Sequence, residues 1–220
     1  MRDEFLEKYN LSLRNYQPDD LNDVVDLYVE TWGQDRKYVF QKTNWAFNIM
    51  ESRVLLLFFG TTLIAVRAGF TWPLIFQGKT YKFFQLHGTC VHSDWRRKGI
   101  FSYLTNVLIH DLKLVGYQGI FNVSVMNSRL GYEKLGWRYM TGFETLIFIN
   151  RPIQLLMKIR DIHKPSEVRE WNFRNVSINF KANSEQIVTK YTDDFVNKRI
   201  LAFQNYGDCL KLNNTIIVYK

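Results

Sequence analysis

The sequence of 220 residues has few cysteines and no long apolar run. Its two cysteines, Cys90 and Cys209, are too few for a disulfide framework or a cysteine-based zinc site, so we expect two reduced thiols. The longest purely apolar run, residues 54–59, is far shorter than the roughly 20 residues of a membrane-spanning helix. The first eight residues are charged where a signal peptide has its apolar stretch. These absences predict a protein without a membrane segment, with a cytoplasmic location as the default expectation.

A strongly localised charge is also lacking, although the formal net charge is +8. The basic residues are spread along the chain, and the tight basic cluster is Arg96-Arg97-Lys98. A nucleic-acid path is typically a stripe of basic residues, so the dispersed charge argues against a nucleic-acid partner. With 46% hydrophobic and 16% aromatic residues, the chain has ample material for a folded core.

The hydrophobic periodicity predicts a mixture of strands and helices. Alternation predicts strands at 11–16 and 120–125. Turns at Gly60 and Gly78 divide a meander of predicted strands at 53–59, 62–70 and 81–91, and a further strand is predicted at 139–149. Helical spacing predicts helices at 21–33, 100–115 and 129–135. After a boundary near Pro152, the patterns predict a helix at 153–162, a strand at 176–180, a helix at 185–204 and a hairpin of 209–212 with 215–219.

The most informative segment lies between the strand that ends near Val91 and the helix that begins at Ile100. A short polar loop there carries Arg96, Arg97 and Lys98 before Gly99. The first turn of a helix leaves backbone N–H groups without intrahelical partners, and the three cations can add charge-assisted bonds, so the arrangement predicts a pyrophosphate site. A merely solvated basic turn is the alternative. The loop is neither a P-loop nor a dinucleotide-binding glycine turn, because Gly99 is its single glycine.

Two segments resemble the GNAT N-acetyltransferase superfamily. Residues 91–104 resemble its Arg/Gln-x-x-Gly-x-Gly/Ala loop, with Phe101 in place of the second small residue, a version similar to that of a branch often linked to sugar or cell-surface metabolism. Residues 127–137 resemble the family segment that ends in Tyr-x-x-x-Gly-aromatic, here Tyr132, Gly136 and Trp137. Ser124-Val125 stands where that branch often has Pro-Asn, so Asn127 is the candidate for the polar contact made there.

The resemblance implies an α/β (α+β) fold with a mixed, strongly curved central sheet flanked by helices. It implies a GNAT domain at 1–150 and leaves 151–220 as a small C-terminal α/β extension, which could cover the cleft, form a dimer surface or be part of a second GNAT-like half. Acetyl-CoA is the implied co-substrate, without a metal. The implied contacts are pantetheine on the backbone of Cys90 and Val91, and pyrophosphate on the residues Arg96, Arg97, Lys98, Gly99, Ile100 and Phe101.

Acyl transfer from a thioester needs a proton donor for the departing sulfur and a base for the attacking amine. Tyr132, which in the family faces the sulfur of CoA, is the predicted acid; a phenol with an ordinary pKa of about 10 is neutral at pH 7 and able to donate. His87 and Glu144 are the two candidate bases, and the sequence does not choose between them.

The preferred hypothesis is an enzyme that transfers an acetyl or longer acyl group to an amine or amino sugar, with a homodimer possible. A second hypothesis is a GNAT-like module that binds CoA without catalysis. A third is a transferase that takes its acyl group from an aminoacyl-tRNA on a related fold, and the phosphate loop argues against it.

Overall fold

A mixed sheet forms the centre of the protein, in a computed structural model that describes residues 2–123, 126–138, 188–190, 192, 194–195, 198, 208–212 and 215–219. Its strand order is β1-β2-β3-β4-β5, with β6 also paired to β3. The first four strands are antiparallel neighbours and β5 runs parallel to β4. The strands are β1 (Leu11–Asn15), β2 (Ser52–Phe59), β3 (Thr62–Phe76), β4 (Lys79–Val91), β5 (Gly119–Phe121) and β6 (Val188–Thr189). The α+β fold with a mixed sheet is therefore confirmed.

Helices cover both faces of this sheet. On one face lie α2 (Leu21–Trp32) and α3 (Arg36–Asn44), which continues into a π-helical turn, Trp45–Ile49. The other face carries α1 (Arg2–Tyr9), α4 (Ile100–Leu114) and α5 (Met126–Lys134). Successive side chains of β2 point to opposite faces of the sheet, so Leu56 is buried under α2 and α3 and Leu57 is buried under α1, α4 and α5.

The helix boundaries follow from local chemistry. Pro18 opens a 3-10 turn, Pro18–Asp20, and the Asp20 carboxylate accepts the Gln17 backbone N–H at 2.7 Å as part of a capping box. Helix α2 ends at Gly33, whose φ of 64° is a left-handed conformation suited to glycine. In α4, apolar residues at four-residue spacing are all at most 2% exposed: Ile100, Leu104, Leu108 and Leu112.

Several predicted elements are confirmed with shifted ends. Strands β3 and β4 run to the turn at Gly78 and are longer on that side than predicted, whereas β5 stops at Phe121. Helix α5 begins three residues before the predicted start at 129. Helices α1 and α3 lack a strong apolar period because most of their residues are polar, and the sequence did not predict them.

The prediction of one helix over 185–204 is wrong at its start. Val188 and Thr189 form β6, which pairs with Ile75 and Leu74 where β3 extends beyond the end of β2. The two residues are β-branched, and the edge of β3 left open by β2 offers them backbone partners. Phe195, in a helical segment soon after, is buried in the core between the sheet and α2.

The predicted closing hairpin is confirmed as β7 (Asp208–Leu212) and β8 (Thr215–Tyr219), an antiparallel pair. The strand predicted at 139–149, the elements predicted at 153–162 and 176–180, and the domain boundary near 150 lie outside the described residues. Among the described helices, none has the length and apolar character needed to cross a membrane.

Candidate active site

A cavity of about 500 Å³ lies where β4 and β5 separate. The two parallel strands pair only from Phe83 to Gln85 on β4, opposite Gly119 to Phe121 on β5. Beyond Gln85, strand β4 continues to Val91, and the residues on the two sides of the opening line the cavity: Gln85 to Thr89 on one side, Asn122 and Val123 on the other. The gap therefore gives a ligand access to a stretch of the β4 edge with which no described strand pairs.

A bulge in β4 shapes the cavity wall. Cα pairing with β3 shifts between Val66 and Ala68, so that β4 has one residue more than β3 over this stretch. Gly88 in the bulge has a φ of 62°, and a Cβ there would lie 2.6 Å from the hydroxyl oxygen of Tyr28. That hydroxyl donates a hydrogen bond to the Gly88 carbonyl. Glycine is therefore required at 88 both by backbone conformation and by the close approach of α2.

The open edge of β4 presents the backbone of Val91. The His92 N–H donates to the Ile64 carbonyl on β3 at 2.8 Å, and backbone groups alternate between the two edges of a strand. The groups of Val91 therefore face the open edge, whereas those of Cys90 face β3. Arg96 Nε donates to the Val91 carbonyl at 3.3 Å, which leaves the Val91 N–H directed at the gap.

The basic loop leads directly into α4. Arg96, Arg97, Lys98 and Gly99 are exposed, and Ile100 is the first helical residue. Arg97 and Gly99 both have left-handed backbones, with φ of 62° and 82°. Left-handed residues in such a loop turn successive N–H groups toward one side, and the helix adds its unpaired first-turn N–H groups. This geometry fits a diphosphate group.

Tyr132 lies in α5 and is 6% exposed. Its ring packs edge-on against Phe101 with centroids 5.1 Å apart, and its hydroxyl accepts a hydrogen bond from Arg67 Nη1 at 2.9 Å. Gly131 makes this packing possible, because a Cβ there would meet the Phe101 ring at 3.1 Å. Tyr132 also lines the cavity, so the predicted acid faces the gap between β4 and β5.

Arg67 is the group in this site that the sequence did not indicate. The side chain extends from β3, is 0% exposed, and also donates from Nη1 to the Thr89 hydroxyl. Its Nε and Nη2 atoms have no hydrogen-bond partner among the described residues. Burial lowers the pKa of the guanidinium, an effect that the neighbouring Tyr132 partly opposes.

The other predicted residues have different positions. His87 on β4 lines the cavity on the α2 side and packs near the rings of Trp45 and Phe70. Asn127 falls in the first turn of α5, and its side chain is not described. Glu144, the other candidate base, lies outside the described residues. Gln85, which was not predicted, places a buried Oε1 acceptor at the cavity, without a hydrogen-bond partner among the described residues.

A family model and several solved structures of other proteins agree with this architecture. The family model described as acetyltransferase (GNAT) domain matches residues 12–140. An acetyltransferase from Trypanosoma brucei superposes with a TM-score of 0.52 at 16% identity, over 63% of this chain and 99% of the other. A predicted acetyltransferase from Clostridium acetobutylicum, solved with acetyl-CoA, gives 0.54 at 16% identity over 62% and 96%.

A third structure, a ribosomal-protein-alanine N-acetyltransferase from Brucella melitensis, gives a TM-score of 0.51 at 15% identity over 63% of this chain and 99% of the other. At these identities the likeness concerns the fold. The search of curated proteins found no significant match. The family-model match covers both the loop before α4 and the segment around Tyr132.

Proposed function

Because the chain belongs to the GNAT acetyltransferase family, we propose that it transfers an acetyl group from acetyl-CoA to an amine, with Tyr132 as the proton donor to the departing thiolate. The observation that carries the proposal is the gap between β4 and β5. Tyr132 and the β4 residues Gln85 to Thr89 line the cavity in this gap, and β4 continues from there to Val91 and the basic loop that precedes α4.

The residues around the gap fit CoA in three places. The N–H groups at the start of α4, with Arg96, Arg97 and Lys98, would bind the pyrophosphate. The Val91 N–H at the open edge would donate a hydrogen bond to the pantetheine, which would lie along β4 like an added strand. The expected backbone contact is thereby narrowed from Cys90 and Val91 to Val91 alone. The cavity beyond would receive the acetyl group and the amine.

Within the cavity, the side chains divide the proton transfers. The amine attacks the thioester carbon as a free base, and the C–S bond then breaks as the C–N bond is completed. Tyr132 would give its hydroxyl proton to the sulfur. His87, which lines the cavity, would take the proton that the nitrogen loses, directly or through water. Glu144 remains the alternative base.

The cavity lining also limits the class of amine. Among the described residues that line the cavity, Lys42 carries a full formal charge, and none has a carboxylate side chain. Lys42, Val39 and Thr43 share one face of α3, which turns the lysine toward the opening. A polycationic acceptor would meet repulsion here without a compensating carboxylate. The lining therefore favours an acceptor with a single amine. The rest of that molecule would be neutral or would carry an anionic group, such as the phosphate of an amino-sugar phosphate.

A thiol-release assay with acetyl-CoA tests the function. We expect wild-type protein to release CoA with at least one amine from a panel that contains neutral amines, amino acids, amino-sugar phosphates and polyamines. Tyr132→Phe keeps the ring packed against Phe101 and removes only the hydroxyl. It should lower kcat by about 100-fold, within the usual range for a general acid, and leave acetyl-CoA affinity nearly unchanged.

Tyr117→Phe is the matched control. Tyr117 is another tyrosine with a hydrogen-bonded hydroxyl: it lies between α4 and β5, and its oxygen is 2.6 Å from the Thr71 hydroxyl. It should turn over like wild type. Binding of acetyl-CoA without thiol release for any amine would indicate a binding module, and equal turnover of Tyr132→Phe and wild type would remove Tyr132 from the acid role.

A further inference from the structure

A buried positive charge that has no negative partner among the described residues lies beside Tyr132. Arg67 is fully buried, and the hydrogen bonds of its guanidinium come from one nitrogen, Nη1, to the hydroxyls of Thr89 and Tyr132. Nε and Nη2, which form one edge of the planar group, have no partner among the described residues. Neither bonded hydroxyl carries a charge, so the described surroundings do not neutralise the cation.

Such an arrangement is costly to the folded state. Buried charges in proteins are normally paired, and an unpaired one destabilises the fold unless a ligand or a reaction uses it. The rings of Phe101 and Tyr132 offer partial compensation, each centroid lying 5.4 Å from the guanidinium carbon. An apolar side chain would fill the same space between β3, α4 and α5 without the desolvation cost. The position of the cation therefore indicates a role in chemistry.

The hydrogen bond to Tyr132 connects Arg67 with the proposed proton donor. Because an arginine N–H can only donate, the Tyr132 oxygen accepts in this bond, and its own proton is left to be donated elsewhere. The phenol also lines the cavity. When the proton leaves, the negative charge formed on the oxygen lies 2.9 Å from a guanidinium nitrogen in a site shielded from water, where charge interactions are strong.

We propose that Arg67 is the positioning residue for Tyr132 in acyl transfer: it orients the phenol and stabilises the tyrosinate that forms when the phenol protonates the departing thiolate. This inference rests on the proposed function. The amine nitrogen forms the C–N bond, the C–S bond breaks, and the sulfur takes the Tyr132 proton. The tyrosinate then recovers a proton from the nitrogen of the new amide through the base or water, so that amine and thioester become amide and thiol.

The decisive variant is Arg67→Met, which keeps an unbranched side chain of similar length and removes the charge. We expect kcat to fall by about 100-fold or more, the usual loss when one preorganised donor to a developing charge is removed. Acetyl-CoA affinity, measured by calorimetry, should change by less than about threefold, since the basic loop is untouched. The melting temperature should stay the same or rise, because an unpaired buried charge has been removed. Arg53→Met, at an exposed arginine on β2, is the control and should match wild type.

Two further variants separate positioning from packing. In Arg67→Met combined with Tyr132→Phe, kcat should be within about threefold of the Tyr132→Phe value, because two residues that act as one unit show non-additive losses. Arg67→Lys keeps a cation and should recover at least about tenfold of the rate lost in Arg67→Met.

The inference is overturned if Arg67→Met turns over like wild type or melts at a clearly lower temperature. The inference is also overturned if the kcat of the double variant falls by the product of the two single losses, or if the kcat of Arg67→Lys is no higher than that of Arg67→Met. An inactive wild type would refute the proposed function and this inference with it, whereas an active wild type with an equally active Arg67→Met refutes this inference alone.

Discussion

Replacing Gly88 by alanine tests how the bulge in β4 supports the cavity. A residue other than glycine in a left-handed backbone costs about 1–2 kcal/mol. The new Cβ would also lie 2.6 Å from the Tyr28 hydroxyl oxygen, so the ring must move and its hydrogen bond to the Gly88 carbonyl is lost, at about 1 kcal/mol. The ring has little freedom, since it is 2% exposed and stacked on Trp32 with centroids 4.2 Å apart.

We therefore expect Gly88→Ala to lower the free energy of unfolding by about 2–4 kcal/mol, which for a chain of this size corresponds to a melting temperature roughly 5–12 °C lower. Gly60→Ala is the matched control: its φ is 57°, but a Cβ there has nothing within 4 Å, so only the backbone cost applies. Tyr28→Phe removes the atom that clashes and should partly rescue Gly88→Ala. The proposed contact would be refuted if Gly88→Ala and Gly60→Ala lost equal free energy of unfolding, or if Tyr28→Phe restored none of the stability lost in Gly88→Ala.

Two smaller predictions concern titrating groups outside the reaction centre. Both terminal nitrogens of Arg14 donate to the Asp20 carboxylate at 2.6 Å, and this interaction lowers the pKa of that carboxyl group. The folded state is therefore stabilised by the pair at neutral pH and loses this stabilisation as the pH falls through the lowered pKa. Asp20→Asn should make the stability less dependent on pH in the acid range, as measured by circular dichroism. Burial raises the pKa of the Cys90 thiol to about 11, so at pH 8 only about one thiol in a thousand is ionised. Iodoacetamide should therefore label Cys90 far more slowly in the native protein than in urea, as followed by mass spectrometry. Equal labelling rates in the two conditions would contradict the burial of the thiol.

The sequence predicted much of the fold because its central elements have clear local signals. Turns bound the apolar strands β3 and β4, and apolar residues repeat every four positions along α4; these elements are confirmed, with β3 and β4 extended toward Gly78. Trp32 shows the limit of such patterns. It continues the apolar spacing of α2 but is 39% exposed, because it lies at the rim of the cavity and stacks on Tyr28 instead of entering the core.

The candidate site was predictable where it follows local sequence, as in the loop before α4. Arg67 and Gln85 could not be found in this way. Arg67 interrupts an apolar strand by a single charge, which in a sequence is indistinguishable from an outward-facing residue. Its buried side chain contacts Thr89, Phe101 and Tyr132, all far from it in the sequence. The pairing of β6 with β3 is likewise a long-range contact that no local pattern indicates.

Calorimetric titration of the wild-type protein with acetyl-CoA, beside S-acetylpantetheine, tests the central claim most directly. The two ligands share the thioester and pantetheine but differ in the nucleotide and diphosphate that the start of α4 is proposed to bind. The account predicts saturable binding of acetyl-CoA at one site, at least about tenfold tighter than that of S-acetylpantetheine, since several charge-assisted hydrogen bonds are lost in the shorter ligand. Absence of acetyl-CoA binding, or equal affinity for the two, would contradict it.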